Sequence, residues 1–424
     1  MRAQPVGSTR LSDLTPSGLL PSPTSLAALS WVNFLVAMMQ TGFGTFIAVN
    51  LTLAQWSRTD IGLALGVTGV TGILAQLPGG ALVDATARKR LAAGIAILVV
   101  GAAAAIIAFW QTVPLVTSAL VMQGVASAVL TPALAALALA LVPQAMLAAR
   151  LSLNVRYGAL GTALAAAMIG LSGAFLSIRV SLLITAGFGL AAVFALRAIN
   201  GRDLAEAHKI TDHLAVRRPA PDLPWAPRKS IFASRDLLVF AACMVLFQLG
   251  NAGIMPLVAG SVIRQHGQSG DAVVAAAVIV SQLLAAAMSL PMGRMADTWG
   301  RRAVLLLGLL ALPVKAGLFA LGGPSDLAVV YQAFDAVSAA SMGLIVPLLV
   351  ADITRKRGHF NLAMGFIGLA SGIGGAGGTV LSGVAADWFG VKFAFVTLAV
   401  IGLSASALAR AMLPGPAPVT VSRS

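Results

Sequence analysis

Apolar residues come in runs of about twenty, the length that crosses a bilayer as a helix, and short polar stretches between them hold most of the charge. The runs are rich in Ala, Leu and Gly and lack the ten-residue alternation of membrane barrels. The pattern therefore predicts an all-α polytopic membrane protein. Twelve spans are expected, at 26–50, 60–83, 91–110, 114–143, 156–177, 179–199, 236–263, 271–296, 303–322, 325–353, 361–386 and 389–412. Residues 1–25, rich in Pro, Ser and Thr, read as a polar tail and not a signal peptide, for they lack a short apolar core with a small-residue cleavage site. Residues 413–424 read as a second tail.

Composition agrees. Of 424 residues, 58% are hydrophobic and 10% charged, and the mean hydropathy is +0.92; soluble chains carry charge on about a quarter of their residues. The net charge of +14 raises the question of nucleic acid, but its placement argues against that partner. Of the 28 Lys and Arg, all but Arg58, Arg179, Arg264, Lys392 and Lys315 fall in the tails and in alternate loops that share one side. Short loops holding Lys and Arg stay cytoplasmic, so both termini are expected inside, in a bacterial inner membrane. The single cysteine, Cys243, excludes an intrachain disulfide.

Residues 200–235 are polar, basic and proline-containing, and separate six spans (26–199) from six (236–412). Glu206, His208 and His213 lie there, too dispersed for a metal site; a solvated linker is expected. The two halves echo each other. LPGGALVDATARKR at 77–90 answers LPMGRMADTWGRRA at 290–303, and Arg150-x-x-x-Asn154-x-x-x-Gly158 answers Arg357-x-x-x-Asn361-x-x-x-Gly365. Leu171-Ser172-Gly173 answers Leu381-Ser382-Gly383, and Gln40-x-Gly42 answers Gln248-x-Gly250. Four matches in order point to duplication of a six-helix unit, a habit of secondary transporters whose substrate site lies between the repeats.

With its basic central loop and doubled G-x-x-x-D-x-x-[GA]-R-[RK] signature, the chain resembles the major facilitator superfamily over residues 26–412. The resemblance implies two six-helix bundles related by a pseudo-two-fold axis and working by alternating access. Gly293, Asp297, Gly300, Arg301 and Arg302 follow the family's loop signature closely. The first copy keeps Gly80, Asp84, Arg88, Lys89 and Arg90, with Ala85 where a basic residue is usual and Ala87 in place of glycine.

Asp84 and Asp297 end spans 2 and 8, where a helix terminus is itself partly negative, so each needs compensation. The following basic cluster is one source; the free N–H groups of a neighbouring helix start are another. The resemblance implies that span 2 meets span 11 and span 8 meets span 5. On that basis Asp84 is expected at the helix start near Arg357 and Asn361, and Asp297 at the one near Arg150 and Asn154. Such contacts cross between halves and make a cytoplasmic gate worth about 1–3 kcal/mol per site. Ala85 and Ala87 make the first latch the weaker expectation. A stop-transfer signal is the competing reading; it explains the Arg and Lys but not the Asp or Gly.

Ionisable groups inside a span are costly and mark function. Away from span ends the sequence offers two, Lys315 and Asp335, about 18 Å and 15 Å from opposite helix ends at 1.5 Å per residue. Those depths nearly coincide, so they are expected to pair, first as a permanent bridge and second as a proton-coupling pair. Asn33, Gln40, Gln123, Gln248, Asn251 and Gln332 are neutral candidates for a central cavity, which by resemblance spans 1, 4, 7 and 10 line. Span 11 is crowded with glycine, which suits a rocking helix. The family's antiporter glycine–proline pair in span 5 is absent, and Leu120 replaces the usual arginine of span 4.

No convergent acid, base and nucleophile and no phosphate loop appear, so the chain is expected to be neither an enzyme nor an ATP-driven pump, and no cofactor or metal is expected. The expected function is secondary transport of a small organic solute, as proton-coupled export of a drug-like compound or metabolite. Uptake or facilitated diffusion of a siderophore-like, sugar or amino-acid compound is the alternative, and a membrane enzyme or receptor on the same scaffold comes third. The expected partners are a small-molecule substrate, protons and membrane lipid, around a monomer.

Overall fold

The computed structural model describes residues 22–43, 47, 51, 56–86, 88–175, 178–201, 203, 234–266, 270–322, 327–355 and 358–412. Glu206, His208 and His213 of the central segment, Ala87 and Arg357 lie outside the described residues. The helices are α1 (Pro23–Thr41), α2 (Arg58–Ala85), α3 (Lys89–Phe109), α4 (Val113–Leu141), α5 (Leu147–Phe175) and α6 (Ile178–Arg197). They continue as α7a (Arg235–Asn251), α7b (Ile254–His266), α8 (Gly270–Thr298), α9 (Arg301–Gly322), α10 (Ala328–Thr354), α11 (Phe360–Phe389) and α12 (Val391–Met412). The seventh span is thus broken at Ala252 and Gly253, not continuous as its hydropathy suggests. Among the described residues ten spans are long and apolar enough to cross a membrane, α1 and α5 not among them.

Several starts are built from local chemistry. Ser57 caps α2: its hydroxyl accepts from the Asp60 N–H and donates to the Asp60 carboxylate, a reciprocal arrangement that satisfies otherwise free donors. Pro23 opens α1, where a missing N–H costs nothing, and Ser22 caps it. The Asp203 carboxylate, just beyond α6, accepts from the hydroxyls of Ser25 (2.6 Å) and Ser22 (2.7 Å) and from the Ser22 N–H. Those bonds hold the Asp203 carboxyl below the usual carboxylate range, Ser25 acting most strongly. Gly300, between α8 and α9, has φ +87°, a conformation that favours glycine.

The duplication is visible in the packing. Neighbour pairs α1–α5, α1–α6, α2–α4, α3–α4 and α3–α6 recur six helices later as α7a–α11, α7a–α12, α8–α10, α9–α10 and α9–α12. The same tight seam occurs in both halves. A Cβ on Gly161 would fall on the Phe34 carbonyl of α1, and one on Gly374 or Gly378 would fall on the Val245 or Leu249 carbonyl of α7a. Glycine there lets two helix backbones approach where any other residue would hold them apart. The halves meet through two long cross-pairs, α2 with α11 and α8 with α5, and through α10 against α5 and α11 against α4.

Candidate functional site

The basic clusters that begin α3 and α9 lie with the ends of α6 and α12 at one end of the bundle, called here the basic end. Arg90 of α3 donates to the Ile199 carbonyl (2.5 Å) just past α6, and Arg302 of α9 donates to the Arg410 carbonyl in the last turn of α12. The two contacts are alike although the arginines stand one position apart in the repeat: in each a guanidinium takes up a carbonyl at a helix end. Arg88 stands at the N-cap of α3 and makes no side-chain cap bond; Lys89 opens the helix.

At this end Asp84 closes the gap between halves. Its carboxylate accepts from the Asn361 N–H (3.1 Å), the Asn361 Nδ2 (2.7 Å) and the Leu362 N–H (2.7 Å). Asn361 and Leu362 sit in the first turn of α11, whose cap residue His359 is left-handed and makes no side-chain capping bond. The N-cap of α11 is therefore supplied from α2, across the interface. Gly80, one turn before Asp84, makes this approach possible: a Cβ there would overlap the Asn361 carbonyl oxygen.

The second copy is built differently, which corrects two expectations. Asp297 is exposed and, among the described residues, makes no hydrogen bond to the start of α5. The reason lies in α5, which begins at Leu147, after a 3-10 turn over Gln144–Met146. The repeat aligns Asn154 with Asn361, yet Asn154 falls in the helix's second turn, where backbone N–H groups already serve the helix, while Asn361 falls in the first. Gly293 still meets this helix, at Ser152, but the free donors are absent from that level. Arg301 instead pairs with Asp352 at the end of α10 and donates to the Leu348 carbonyl (3.3 Å). Asp352 also accepts from Gln144 Nε2 at 3.4 Å, a thin contact between halves. Of the two latches it is the first that is made in full, the reverse of what Ala85 and Ala87 suggest.

The early start of α5 corrects a third reading, for Arg150 lies inside the helix and not in a loop. It is 4% exposed and donates to Asn154 Oδ1 from Nε (3.1 Å) and Nη2 (2.7 Å), to the Leu26 carbonyl (2.8 Å) and to Ser30 Oγ (2.9 Å). Its ligands thus tie α5 to the first turns of α1. Arg156, also placed in a loop by sequence, lies in the third turn of α5.

Between the halves above this closure lies a cavity of about 360 Å³. Its polar side belongs to the first half: Asn33 and Gln40 of α1, Thr131 of α4 and Asn154 of α5. Its other side, Met342, Val346 and Pro347 of α10 with Met364 of α11, is apolar. Gln123, Gln248, Asn251, Gln332, Lys315 and Asp335 do not border it. Gln123 instead donates to Ser127 on its own helix (3.1 Å).

Lys315 and Asp335 form a separate site within the second half. Lys315 Nζ stands 2.5 Å from Asp335 Oδ1 and 3.0 Å from Asn251 Oδ1, at the α7 break. Ser281 of α8 donates to Asp335 Oδ2 at 3.3 Å. The lysine side chain is 3% exposed and the aspartate 21%, so the carboxylate is partly open and the ammonium enclosed. Gln332, one turn away, buries its Oε1 without a partner among the described residues. Sequence reasoning missed Asp352 and Gln144, although they occupy equivalent places in the two repeats, 208 residues apart.

The Major Facilitator Superfamily model matches residues 29–259 and 240–423. An uncharacterized MFS-type transporter of Mycobacterium tuberculosis is 31% identical over 386 residues, covering 89% of this chain and 90% of its own. Multidrug resistance protein 2 of Bacillus subtilis is 27% identical over 186 residues, 42% of this chain and 44% of its own. The crystal structure of the human organic anion transporter MFSD10 superposes with a TM-score of 0.70 at 14% identity, over 92% of this chain and all of that one. The fold and the matched sequence agree: this multi-pass membrane chain belongs to the major facilitator superfamily of transporters.

Proposed function

We propose that the chain is a secondary transporter that moves a small organic solute by rocking its two six-helix halves about the cavity between them. The observation that carries the reading is the position of that cavity behind an interface latch. Asp84 caps a helix of the opposite half, so the halves cannot part at the basic end without stripping two backbone donors and a carboxylate of their partners. In this reading the basic end is cytoplasmic, as are both termini, the membrane is a bacterial inner membrane, and the described conformation is the one closed to the cytoplasm.

Export coupled to protons is the direction we favour. It is supported by the likeness to the Bacillus multidrug resistance protein and by the partly exposed carboxylate of Asp335 beside a buried lysine. Protonating Asp335 removes the charged partner of Lys315 and leaves Asn251, at the break in α7, as its remaining acceptor. The test is flux into proteoliposomes over a panel of compounds, with and without an imposed pH gradient. Flux that ignores the gradient rules out coupling; absence of flux for every compound, with Val346→Cys (in a Cys243→Ser background) labelled from one membrane face only, rules out transport.

A further inference from the structure

The cavity has a built-in polarity that its lining alone does not disclose. A guanidinium has donors and no acceptor, so the two bonds from Arg150 fix the Asn154 amide with Oδ1 toward the arginine. Its Nδ2, on the opposite side, makes no hydrogen bond among the described residues and is not fully buried; the open space beside it is the cavity. Asn33 is fixed the other way round. Its Nδ2 donates to the Leu29 carbonyl of its own helix (2.8 Å), which leaves Oδ1 on the free side. The amide face thus offers a donor on α5 and an acceptor on α1, each held in place by a partner outside the cavity.

Arg150 adds a field to this pattern. It is buried, and among the described residues no carboxylate pairs with it. An uncompensated cation in a low-dielectric surround acts strongly over a few ångströms, and a donor chain polarised by a charge is strengthened along its length. Asn154 Nδ2 is the cavity-facing end of such a chain. The second half lines the cavity with Met342, Val346 and Met364; methionine fits apolar shapes of many kinds.

We infer that the cavity takes an amphipathic solute whose carbonyl or carboxylate oxygen docks on Asn154 under Arg150, with its apolar part against Met342, Val346 and Met364. This deepens the transport reading and rests on it only for the claim that the bound solute is cargo. Arg150 is a positioning residue: it orients and polarises Asn154 without touching the solute.

Three matched probes test the inference: 4-phenylbutyrate, 4-phenylbutyramide and 4-phenylbutylamine, titrated calorimetrically onto the full chain in nanodiscs. Butyrate and butyramide are expected to bind the wild type at least tenfold tighter than the amine, and Asn154→Leu is expected to erase that difference. Arg150→Gln, which keeps a donor to Asn154 but no charge, is expected to weaken butyrate at least tenfold and leave butyramide within threefold. Equal binding of the amine to wild type, or binding of none of the three, overturns the inference even where a variant fails to fold. Butyrate unaffected by Arg150→Gln overturns the part assigned to the arginine. Maleimide labelling of Val346→Cys from each membrane face needs no solute, so failure of the transport reading registers separately.

Discussion

Asp84 on α2 and Asn361 on α11, 277 residues apart, are joined by two hydrogen bonds to one carboxylate oxygen, from the backbone and side-chain nitrogens of the same asparagine. A hydrogen bond to a charged group is worth about 1.5–3 kcal/mol, and about 1.4 kcal/mol changes an equilibrium tenfold. Asp84→Ala is therefore expected to raise cytoplasmic labelling of Val346→Cys about tenfold or more. An unchanged rate rules out the latch.

The unequal copies make a sharper comparison. Asp297 is exposed and, among the described residues, makes no hydrogen bond to α5, whereas Asp352 holds both Arg301 and Gln144. Asp297→Asn is expected to leave the same labelling rate within about twofold, an effect below roughly 0.5 kcal/mol. Asp352→Asn is expected to raise it more than Asp297→Asn does and less than Asp84→Ala. The opposite order of the two aspartates on the second copy assigns the latch to Asp297 after all.

Removing space tests the same interface without touching a charge. A methyl group on Gly80 overlaps the Asn361 backbone carbonyl oxygen, while one on Gly293 meets the Ser152 side chain less closely, Oγ at 2.7 Å and Cβ at 2.9 Å. Gly80→Ala is expected to open the cytoplasmic face as Asp84→Ala does, with Gly293→Ala much milder. Equal effects of the two alanines, read by the same labelling, contradict this geometry.

Lys315 and Asp335 answer to a double-mutant cycle. Breaking a buried pair on one side strands the other charge, at a cost of about 3–5 kcal/mol, whereas replacing both by apolar groups often costs little. Lys315→Met is expected to lower the melting temperature of the protein in nanodiscs strongly, and Lys315→Met with Asp335→Leu to restore most of it. If the restored protein still transports with unchanged pH dependence, the pair is a bridge; if gradient-driven flux is lost, Asp335 couples.

At Asp203 the expectation concerns pH. The carboxyl titrates lower in the folded chain than when unfolded, because Ser25 and Ser22 donate to its charged form. Its contribution is therefore fully present above the ordinary aspartate range and disappears as pH falls through the lowered value. The melting-temperature difference between wild type and Asp203→Asn should be constant near neutrality and vanish in acid. A difference that persists unchanged below that window excludes the charge as its source.

Ten of the spans were legible from length and hydropathy alone, and the family resemblance implied the α2–α11 contact. The site was legible only in part. Periodicity carries no information on where a helix starts when the preceding residues are themselves apolar, and Arg150 made the first turns of α5 look like loop. That one displacement hid a buried arginine, moved Asn154 from a helix start to a cavity wall, and left Asp297 without its expected partner. Asn33 and Gln40 were recognisable as polar residues on an inward-facing helix, whereas Gln248 and Asn251 looked equivalent and do not border the cavity, Asn251 accepting instead from Lys315. No pattern in a single sequence distinguishes an amide that faces a cavity from one bound to its own helix.

The polarity of α5 has a consequence for how the chain enters the bilayer. α5 carries Arg150, Asn154 and Arg156 in its first three turns and is not among the segments apolar enough to cross unaided. The cost of an arginine in an inserting helix is greatest at the centre, about 2.5–3.5 kcal/mol, and Arg150 and Arg156 lie nearer one end. The groups that satisfy Arg150 outside its own helix, the Leu26 carbonyl and Ser30, belong to α1, which is synthesised more than a hundred residues earlier. α1 therefore supplies, before α5 is synthesised, the groups that meet Arg150 outside its own helix.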